Sequence, residues 1–365
     1  MIPQAFPWLL GLTLLLVLIT ALPLSRNEAW WVRGWDFPRL QIALLALGQI
    51  GASLLLLDLS IWQVWLLPAA GLACLAYQAW WIAPYTALAP TQVEWAPRSD
   101  PDRTLAILTA NVYTPNRDAG RLLELVEVWD PDLVITLESD AWWESQLSPL
   151  ETHRPHTVKC PLDNLYGMHL YSRYPLSEAR IEFLVERDIP SIHALVHLPS
   201  GDRVRAHFLH PAPPSPTENE ESAERDAELL VVGRSVAESE QPLVVTGDLN
   251  DVAWSRTTRL FRKISGLLDP RIGRGMFNTF HARYWFARWP LDHIFHSRHF
   301  LVARIERLGA FGSDHFPLYS RLVLNPARSQ KKSDLEPNGN DLKEVHRKTS
   351  QKDVGPSDVP EPGEE

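Results

Sequence analysis

The chain has 365 residues, of which 45% are hydrophobic and 15 are Trp, enough for one large domain and additional segments. Residues 94–327 carry 25 basic and 32 acidic side chains, so this part of the chain is net −7. That balance argues against a broad basic surface for sequence-independent binding of nucleic acid, although carboxylates that hold a divalent cation would count as negative in the same sum.

The N-terminal residues 1–93 are predicted to form a membrane anchor with three transmembrane helices. Apolar segments without charged residues lie at about 5–24, 40–57 and 61–83. Each is close to the roughly 20 residues that a helix needs to cross a bilayer. A cleaved signal peptide is the alternative for the first segment, but no basic residue precedes it. The lipid bilayer is therefore an expected partner, and the sequence identifies no protein partner.

The arginines next to these segments bear on orientation. With three spans, the following arginines lie on one side of the membrane: Arg26, Arg33, Arg39, Arg98 and Arg103. The opposite side has no Lys or Arg, so the positive-inside rule favours a multi-pass protein of the cell (inner) membrane with its large domain in the cytoplasm. Five arginines over two loops are a small bias, and the short uncharged N-terminus leaves the other orientation open.

From Thr104 onward the pattern predicts alternating strands and helices. Short apolar runs indicate strands at 105–109, 133–137, 169–172, 179–185, 192–198, 203–209 and 243–248. Helices are predicted at 121–128 and 218–238. Strands recur with only occasional helices between them, which favours a two-sheet core flanked by helices. After Asn325, polar and charged residues dominate, and we expect residues 328–365 to form a disordered charged tail.

Polar groups follow several of the predicted strands. They are Asn111, Glu138, Asp248 with Asn250, and Asp314 with His315. Ligands of α/β proteins sit outside the carboxyl ends of strands, and carboxylate and amide oxygens are the ligands that Mg²⁺ prefers. One such residue alone would be explained by a turn or a helix cap. Four strand-end clusters in one domain instead favour a metal-assisted reaction at a phosphate ester.

Two of the 13 histidines are candidates for general acid or base chemistry. His210 closes an apolar run before a stiff Pro-rich loop, and His315 follows Asp314. The spacing of His293, His296 and His299 could suggest zinc, but a zinc site needs three or four ligands that converge in space. We therefore expect structural roles for those three.

The ordered motifs resemble the endonuclease/exonuclease/phosphatase (deoxyribonuclease-I-like) superfamily, here as a membrane-anchored, bacterial-type member. The motifs are Asn111-Val112, Glu138 after 132–137, Tyr171 to Leu176, His210, Gly247-Asp-Leu-Asn250, Leu291 to Phe295, and Ser313-Asp-His315. They cover residues 103–323. The resemblance implies an α/β fold, a four-layered α/β sandwich preceded by the three transmembrane α-helices, with residues 94–327 as the catalytic domain and Mg²⁺ or Mn²⁺ as cofactor.

The resemblance also implies roles for individual residues. Glu138 resembles the principal metal ligand, with Asn111 holding metal or phosphate and Asp314 near the metal. Asp248 would orient or deprotonate the attacking water. The other implied catalytic or phosphate-binding residues are Asn250, His210, His315 and Asp292, the last of which would hold the imidazole of His315. Tyr113 and Leu137 depart from many nucleases of the group, which weakens any inference to cleavage at abasic DNA sites.

The sequence therefore predicts a membrane-anchored, divalent-metal-dependent phosphoesterase that acts on a phosphodiester or a phosphomonoester by in-line attack of an activated water. An endonuclease is one such enzyme, and a phospholipid or inositol-phosphate hydrolase of the same fold is the alternative. A non-catalytic membrane-bound binding module is the hypothesis from another class. The substrate, whether nucleic acid or phospholipid, stays open at this point.

Overall fold

The computed structural model describes residues 4–97, 100–325 and 335–363. Its N-terminal part holds the helices α1 (Phe6–Ala21), α2 (Trp30–Arg33), α3 (Arg39–Leu56) and α4 (Leu66–Ile82). The helical segments Phe6–Leu24, Arg39–Leu56 and Trp62–Tyr85 are long and apolar enough to cross a membrane. The three predicted apolar segments are thus confirmed as helices and candidate spans. Arg98, one of the arginines that bear on orientation, lies outside the described residues.

Polar side chains inside the three-helix group pair with one another. The Gln49 amide donates to the hydroxyls of Thr13 (2.8 Å) and Ser53 (3.1 Å), and the Gln78 amide donates to Thr20 (3.1 Å). Such pairing between helices satisfies polar groups that lipid could not. The outward faces of these helices remain apolar and exposed, as a bilayer requires.

The α/β domain follows from residue 104. Its strands are β1 (Thr104–Asn111), β2 (Leu133–Leu137), β3 (His156–Cys160), β4 (Met168–Ser172), β5 (Leu176–Glu182), β6 (Ser191–His197), β7 (Arg203–Leu209), β8 (Leu243–Asp248), β9 (Asp292–His296), β10 (Phe300–Arg307) and β11 (Leu318–Leu324). Its helices are α5 (Ala119–Trp129), α6 (Ala141–Gln146), α7 (Ala223–Ser235) and α8 (Arg256–Ser265).

These elements form a four-layered α/β sandwich. One sheet has the strand order β10-β11-β1-β2-β4-β3 and the other β5-β6-β7-β8-β9. Alternating side chains of the two sheets interdigitate in a shared core, for example Ile107, Ile135, Phe208 and Val244. The outer face of the first sheet packs against α5, and that of the second against α7 and α8. The predicted fold class is confirmed.

The strand pairing brings the expected functional residues to one edge. In the first sheet β1 and β2 are parallel, with Asn111 opposite Leu137, so Asn111 and Glu138 are neighbours. In the second sheet β7 and β8 are parallel, with Leu209 opposite Gly247, which makes His210 a neighbour of Asp248. β9 runs antiparallel to β8 and begins with Asp292 directly opposite Asp248. Because the sheets are stacked, both strand ends meet at the same edge, where Asn111 of the first sheet contacts Asp248 of the second.

The predicted helix at 218–238 is shorter in the structure, where α7 spans Ala223–Ser235. The residues before it pair with the loop between α1 and α3. The Trp30 N–H donates to the Glu220 carbonyl (2.9 Å), and the Ser222 N–H donates to the Glu28 carbonyl (2.9 Å). These backbone groups are therefore used in a contact between the spans and the domain.

The described part of the C-terminal segment corrects the expectation of a disordered tail. Residues 339–351 form helix α9 (Gly339–Gln351), which Asn338 begins with a capping box. Val345 is fully buried against α7 and α8, and Val354 and Val359 join the core around α7. Few apolar residues suffice here because these three valines are buried, and because charged side chains of α9 pair with α7 and α8. Residues 328–334, 364 and 365 lie outside the described residues.

Residues just before the expected start of the domain at 94 also belong to its packing. Val93 lies in the core between the sheets, and the Tyr85 hydroxyl donates to the Ala253 carbonyl (2.6 Å). From the first loop, the Asp36 carbonyl accepts a hydrogen bond from the Trp254 indole (2.9 Å). The α/β domain is therefore docked against the N-terminal helices, the candidate membrane spans.

Candidate active site

Asn111 connects the two sheets at the edge where their strands end. It is buried, and its amide nitrogen donates to the Glu138 carboxylate (2.7 Å) and to the Asp248 carboxylate (3.1 Å). Its side-chain oxygen, Oδ1, accepts a hydrogen bond from the Tyr113 N–H (3.0 Å). Asn111 thus holds the two acids close together instead of offering its own oxygen as a ligand.

Glu138 leaves β2 with an unusual backbone conformation, at a φ of 59°. Positive φ is costly for a residue with a side chain, and such positions concentrate at functional sites. Burial raises the pKa of Glu138 to about 7, which the hydrogen bond from Asn111 and the charge of His315 oppose, while Asp314 and Asp248 raise it further. The site therefore places this carboxyl where a positive charge would stabilise its ionised form.

Gly247 lets Asp248 approach the neighbouring strand. Its φ is 152°, and a Cβ at this position would lie 1.9 Å from the Leu209 carbonyl oxygen. No other residue fits, so β7 and β8 remain close up to their last residues. This close approach carries Asp248 and His210 to the same edge.

Asp248 and Asn250 form a compact turn after β8. The Asn250 N–H donates to one Asp248 carboxylate oxygen (3.0 Å), and the Asn250 amide donates to the Pro211 carbonyl (3.0 Å). Arg225, itself fully buried, donates to the Asn250 carbonyl (2.8 Å). Asn250 therefore ties the turn to the loop that follows His210.

His315 is held between two aspartates. Its Nδ1 lies 2.8 Å from Asp292 and its Nε2 lies 3.4 Å from Asp248. Burial alone would lower its pKa, but Asp248, Asp292 and Asp314 raise the pKa of His315 to about 10. This raised pKa favours the protonated ring. Nδ1 of that ring is hydrogen-bonded to Asp292, which would orient it.

His210 also lies beside Asp248, but its pKa is lowered, whereas that of His315 is raised. It is buried, its ring centroid is 5.2 Å from that of Tyr166, and burial lowers its pKa to about 4. In the described part of the structure its Nδ1 has no hydrogen-bond partner. A neutral imidazole with an uncommitted nitrogen is suited to accepting or relaying a proton, or to contacting substrate.

The donor set fits a divalent cation at Glu138. One carboxylate oxygen, Oε2, is buried and has no hydrogen-bond partner among the described residues. A hard cation would supply that partner and lower the pKa of the carboxyl. Asp314 is half-buried and near enough to raise the pKa of Glu138, so its carboxylate could help to bind the same cation.

Asp248, Asp292 and His315 also place one ligand atom each within 4.8 Å of one another. Both imidazole nitrogens, however, face carboxylate oxygens. The raised pKa of His315 favours a ring protonated at both nitrogens, which has no lone pair for a metal. We therefore interpret these three residues as an Asp–His–Asp group, hydrogen-bonded at Asp292 and ion-paired at Asp248, and infer that Glu138 would hold the cation.

The structure thus brings together all eight residues expected from the sequence. It adds Ser313 and Phe280, neither of which was predicted as a site residue. The Ser313 hydroxyl donates to the Asn111 carbonyl (2.8 Å) and accepts from the His315 N–H (3.0 Å). The Phe280 ring lies 4.9 Å from that of His315. Ser313 stands inside the Ser-Asp-His motif, whereas nothing in the sequence marks Phe280.

A family model for the endonuclease/exonuclease/phosphatase family matches residues 108–315. A search of curated proteins found no match. Among solved structures, the chain is similar to human Nocturnin's catalytic domain with bound sulfate, at 16% identity over 62% of this chain and 97% of that one, with a TM-score of 0.51.

Two further solved structures have a TM-score of 0.50. One is humanized D. rerio TDP2, at 19% identity over 60% of this chain and 99% of that one. The other is an endonuclease/exonuclease/phosphatase from Beutenbergia cavernae, at 18% identity over 61% of this chain and 72% of that one. At these identities the likeness shows the fold, and it covers the α/β domain's share of the chain.

Proposed function

The chain belongs to the endonuclease/exonuclease/phosphatase family and is a phosphate-ester hydrolase, and we propose that it is membrane-anchored and depends on a divalent metal, Mg²⁺ or Mn²⁺. The observation that carries the proposal is the junction at Asn111. Its amide joins Glu138, which has an unpaired buried oxygen, to Asp248, which contacts the His315 imidazolium. A cation site, a carboxylate base and a fixed positive charge therefore meet at one edge.

We assign the steps of hydrolysis to these groups. The cation at Glu138, with Asp314 nearby, would polarise the phosphoryl oxygen and stabilise developing negative charge. Asp248 would orient the attacking water and accept its proton, because its carboxylate lies at the strand edge where Asn111 joins it to Glu138. His315, oriented by Asp292, would donate to the phosphoryl oxygens. Asn250 fixes the turn, and His210 would contact the substrate from the opposite side.

The substrate is a phosphodiester or a phosphomonoester, and two classes fit the same chemistry. An endonuclease is one of them, although the net charge of −7 over residues 94–327 provides little basic surface for nucleic acid. A phospholipid or inositol-phosphate hydrolase is the other, and it is favoured by the docking of the domain on three apolar helices.

A non-catalytic membrane-bound module is the remaining alternative. A domain that had lost its activity would be expected to lose members of the site. Glu138, Asp248, Asn250 and His315 are all present, and they are in contact directly or through Asn111 and the turn after β8. We therefore favour an active enzyme.

For location, we propose the cell (inner) membrane, with the domain on the cytoplasmic side. The support is the positive-inside pattern of the loop arginines. Protease treatment of sealed vesicles of known orientation tests the side, since an exposed domain is cleaved and an enclosed one is protected. Protection in inside-out vesicles would reverse the orientation.

The activity is tested with the full chain in lipid nanodiscs and 4-nitrophenyl methyl phosphate as a soluble diester. We expect 4-nitrophenol release with Mg²⁺ or Mn²⁺ and none with excess chelator. The control is a Glu144→Gln variant, which changes an acid on α6 and should retain the rate. Release that is equally fast with chelator would contradict the metal dependence. No release with either metal, from this diester or from the monoester 4-nitrophenyl phosphate, would contradict the proposed function.

A further inference from the structure

A pocket lined by aromatic residues lies beside the active site, where the domain meets the membrane helices. We propose that it holds the alkyl chain of a lipid-like phosphate ester whose phosphate is hydrolysed at the site. This inference rests on the proposed function and names the substrate class. The enzyme would then act on amphiphilic phosphate esters at the membrane surface.

The pocket has a volume of about 580 Å³, within the range of ligand-binding pockets. Its walls come from the loop between α1 and α3 and from two loops of the α/β domain. The main lining residues are Trp30, Trp31, Trp35, Phe37, Pro214 and Trp289. Among the described residues, no charged side chain lines it. An apolar pocket of this kind favours hydrocarbon over phosphate, sugar or a hydrated headgroup.

A continuous series of rings leads from the pocket to the catalytic histidine. Phe37 contacts Trp289 at 5.7 Å between ring centroids, and Trp289 stacks on Phe280 at 6.2 Å. Phe280 in turn lies 4.9 Å from His315. On another wall, Pro214 belongs to the loop that follows His210. An ester with its phosphate at His315 therefore has an apolar path for its chain.

The pocket also lies level with the end of a candidate span. Pro38 lines it and directly precedes α3, whose Gln41 side chain donates to the Phe286 carbonyl (2.8 Å). Phe286 belongs to an aromatic segment, Tyr284 to Phe286, in which Trp285 is 80% exposed. Exposed aromatic residues at the end of a span are typical of the membrane–water interface. A lipid could therefore enter the pocket without crossing water.

These observations select one occupant. A nucleic-acid strand would meet uncharged aromatic walls that offer no cation for its phosphates. A bilayer lipid that merely fills the pocket would have no connection to His315. The alkyl chain of the substrate uses both the apolar walls and the ring path.

Two variants alter the pocket without touching the catalytic residues. Gly34 lines the pocket, and a Cβ added there meets nothing within 4 Å, so Gly34→Leu should fill space without a clash. Trp31, which is half-exposed, can be shortened by Trp31→Ser. Gly120→Leu is the matched control, because Gly120 lies on α5 and an added Cβ meets only one atom, at 3.9 Å.

The test compares 4-nitrophenyl methyl phosphate with 4-nitrophenyl decyl phosphate, using the full chain in nanodiscs. We expect kcat/KM for the decyl ester to exceed that for the methyl ester at least tenfold. Gly34→Leu and Trp31→Ser should lower the decyl value at least fivefold and leave the methyl value within twofold. Each ester partitions into the nanodisc to the same extent for every variant. A change in the ratio of the decyl to the methyl kcat/KM value therefore reports an effect of the pocket. An unchanged ratio in Gly34→Leu would overturn the inference.

A second readout does not need catalysis. Decyl phosphate with a diazirine at its chain end should label the segment at 30–38, and Gly34→Leu should reduce that labelling. Excess decyl phosphate should compete and methyl phosphate should not. Labelling only in the spans would overturn the inference even if the methyl ester is hydrolysed. Absence of hydrolysis of both esters, with labelling intact, would instead count against the proposed function alone.

Discussion

At the scale of single residues, the proposed site is built from buried charged groups with few partners of opposite charge. Glu138 keeps an unpaired carboxylate oxygen, while Asn111 binds its other oxygen. Asp248, Asp292 and Asp314 raise the pKa of His315, which favours its protonated form. The sequence could identify these residues because each follows a strand. It could not predict that Asn111 would donate to both acids, since that depends on the distance between two sheets.

Glu138→Gln should weaken metal binding. The amide is neutral and is a poorer ligand for a hard cation than a carboxylate. We expect the Kd for Mn²⁺, measured from the electron paramagnetic resonance signal of the free ion, to rise at least tenfold. Glu144→Gln should bind Mn²⁺ like the wild type. Equal affinity in Glu138→Gln and wild type would place the cation elsewhere.

Glu228 on α7 should make stability depend on pH. It is buried with one carboxyl oxygen unpaired in the described structure, and burial, together with Glu186, raises its pKa to about 8 from 4.5. The folded protein therefore holds a proton that the unfolded chain releases. This contribution is complete below pH 4.5 and is lost as pH rises to about 8.

Glu228→Gln should consequently have little effect on the melting temperature at pH 5 and raise it by several degrees at pH 8. One pKa unit corresponds to about 1.4 kcal/mol, so the shift from 4.5 to about 8 changes the free energy of unfolding by a few kcal/mol between these pH values. Thermal unfolding in detergent at the two pH values measures it, with the exposed Glu238→Gln as control. A gain of the same size at pH 5 would show that the effect is not ionisation.

At the scale of elements, helix α9 shows why composition misled the prediction of the tail. Its charged residues are not all solvated. The Lys348 ammonium donates to Glu28 (2.5 Å) and to the buried Asp226 (2.7 Å). Burial opposes the charge of Asp226, but Lys348 and Arg225 hold its pKa well below the usual value. Arg225 also donates to Asn250, so α9 supports the turn after β8.

Lys348→Met should therefore destabilise the protein by about 3 kcal/mol, because it leaves a buried carboxylate without one of its partners. The expected result is a clear fall in melting temperature. Lys343→Met changes an exposed residue of the same helix and should leave it nearly unchanged. If the two variants have the same melting temperature, α9 does not stabilise the domain through Asp226.

At the scale of the whole molecule, the N-terminal helices, the proposed anchor, pack directly against the α/β domain. The sequence predicted both parts, because apolar length and strand patterns are local properties. The sequence placed the boundary at residue 94. It could not show that Val93 packs between the sheets or that Tyr85 contacts Ala253, because both depend on contacts between residues that are distant in sequence. The aromatic pocket could not be predicted for the same reason, because its walls come from three separate loops.

A fragment of residues 84–365 should be more stable than one of residues 94–365. The shorter fragment loses the Tyr85 hydrogen bond, the Val93 side chain and the Gln92 contacts with Asp269 and Arg262. Each hydrogen bond contributes about 1 kcal/mol, and the buried Val about 2 kcal/mol. We expect a lower melting temperature and aggregation for 94–365. Equal stability would show that residues 84–93 are only a linker.

The central claim is that Asp248 activates the attacking water at a metal-bound phosphate, and Asp248→Asn tests it most directly. The amide keeps the shape of the side chain but cannot accept the proton. At saturating Mg²⁺ in nanodiscs, kcat for 4-nitrophenyl methyl phosphate should fall at least 100-fold, in line with the usual contribution of a general base, while Mn²⁺ affinity stays within threefold. A kcat within threefold of wild type would contradict the account.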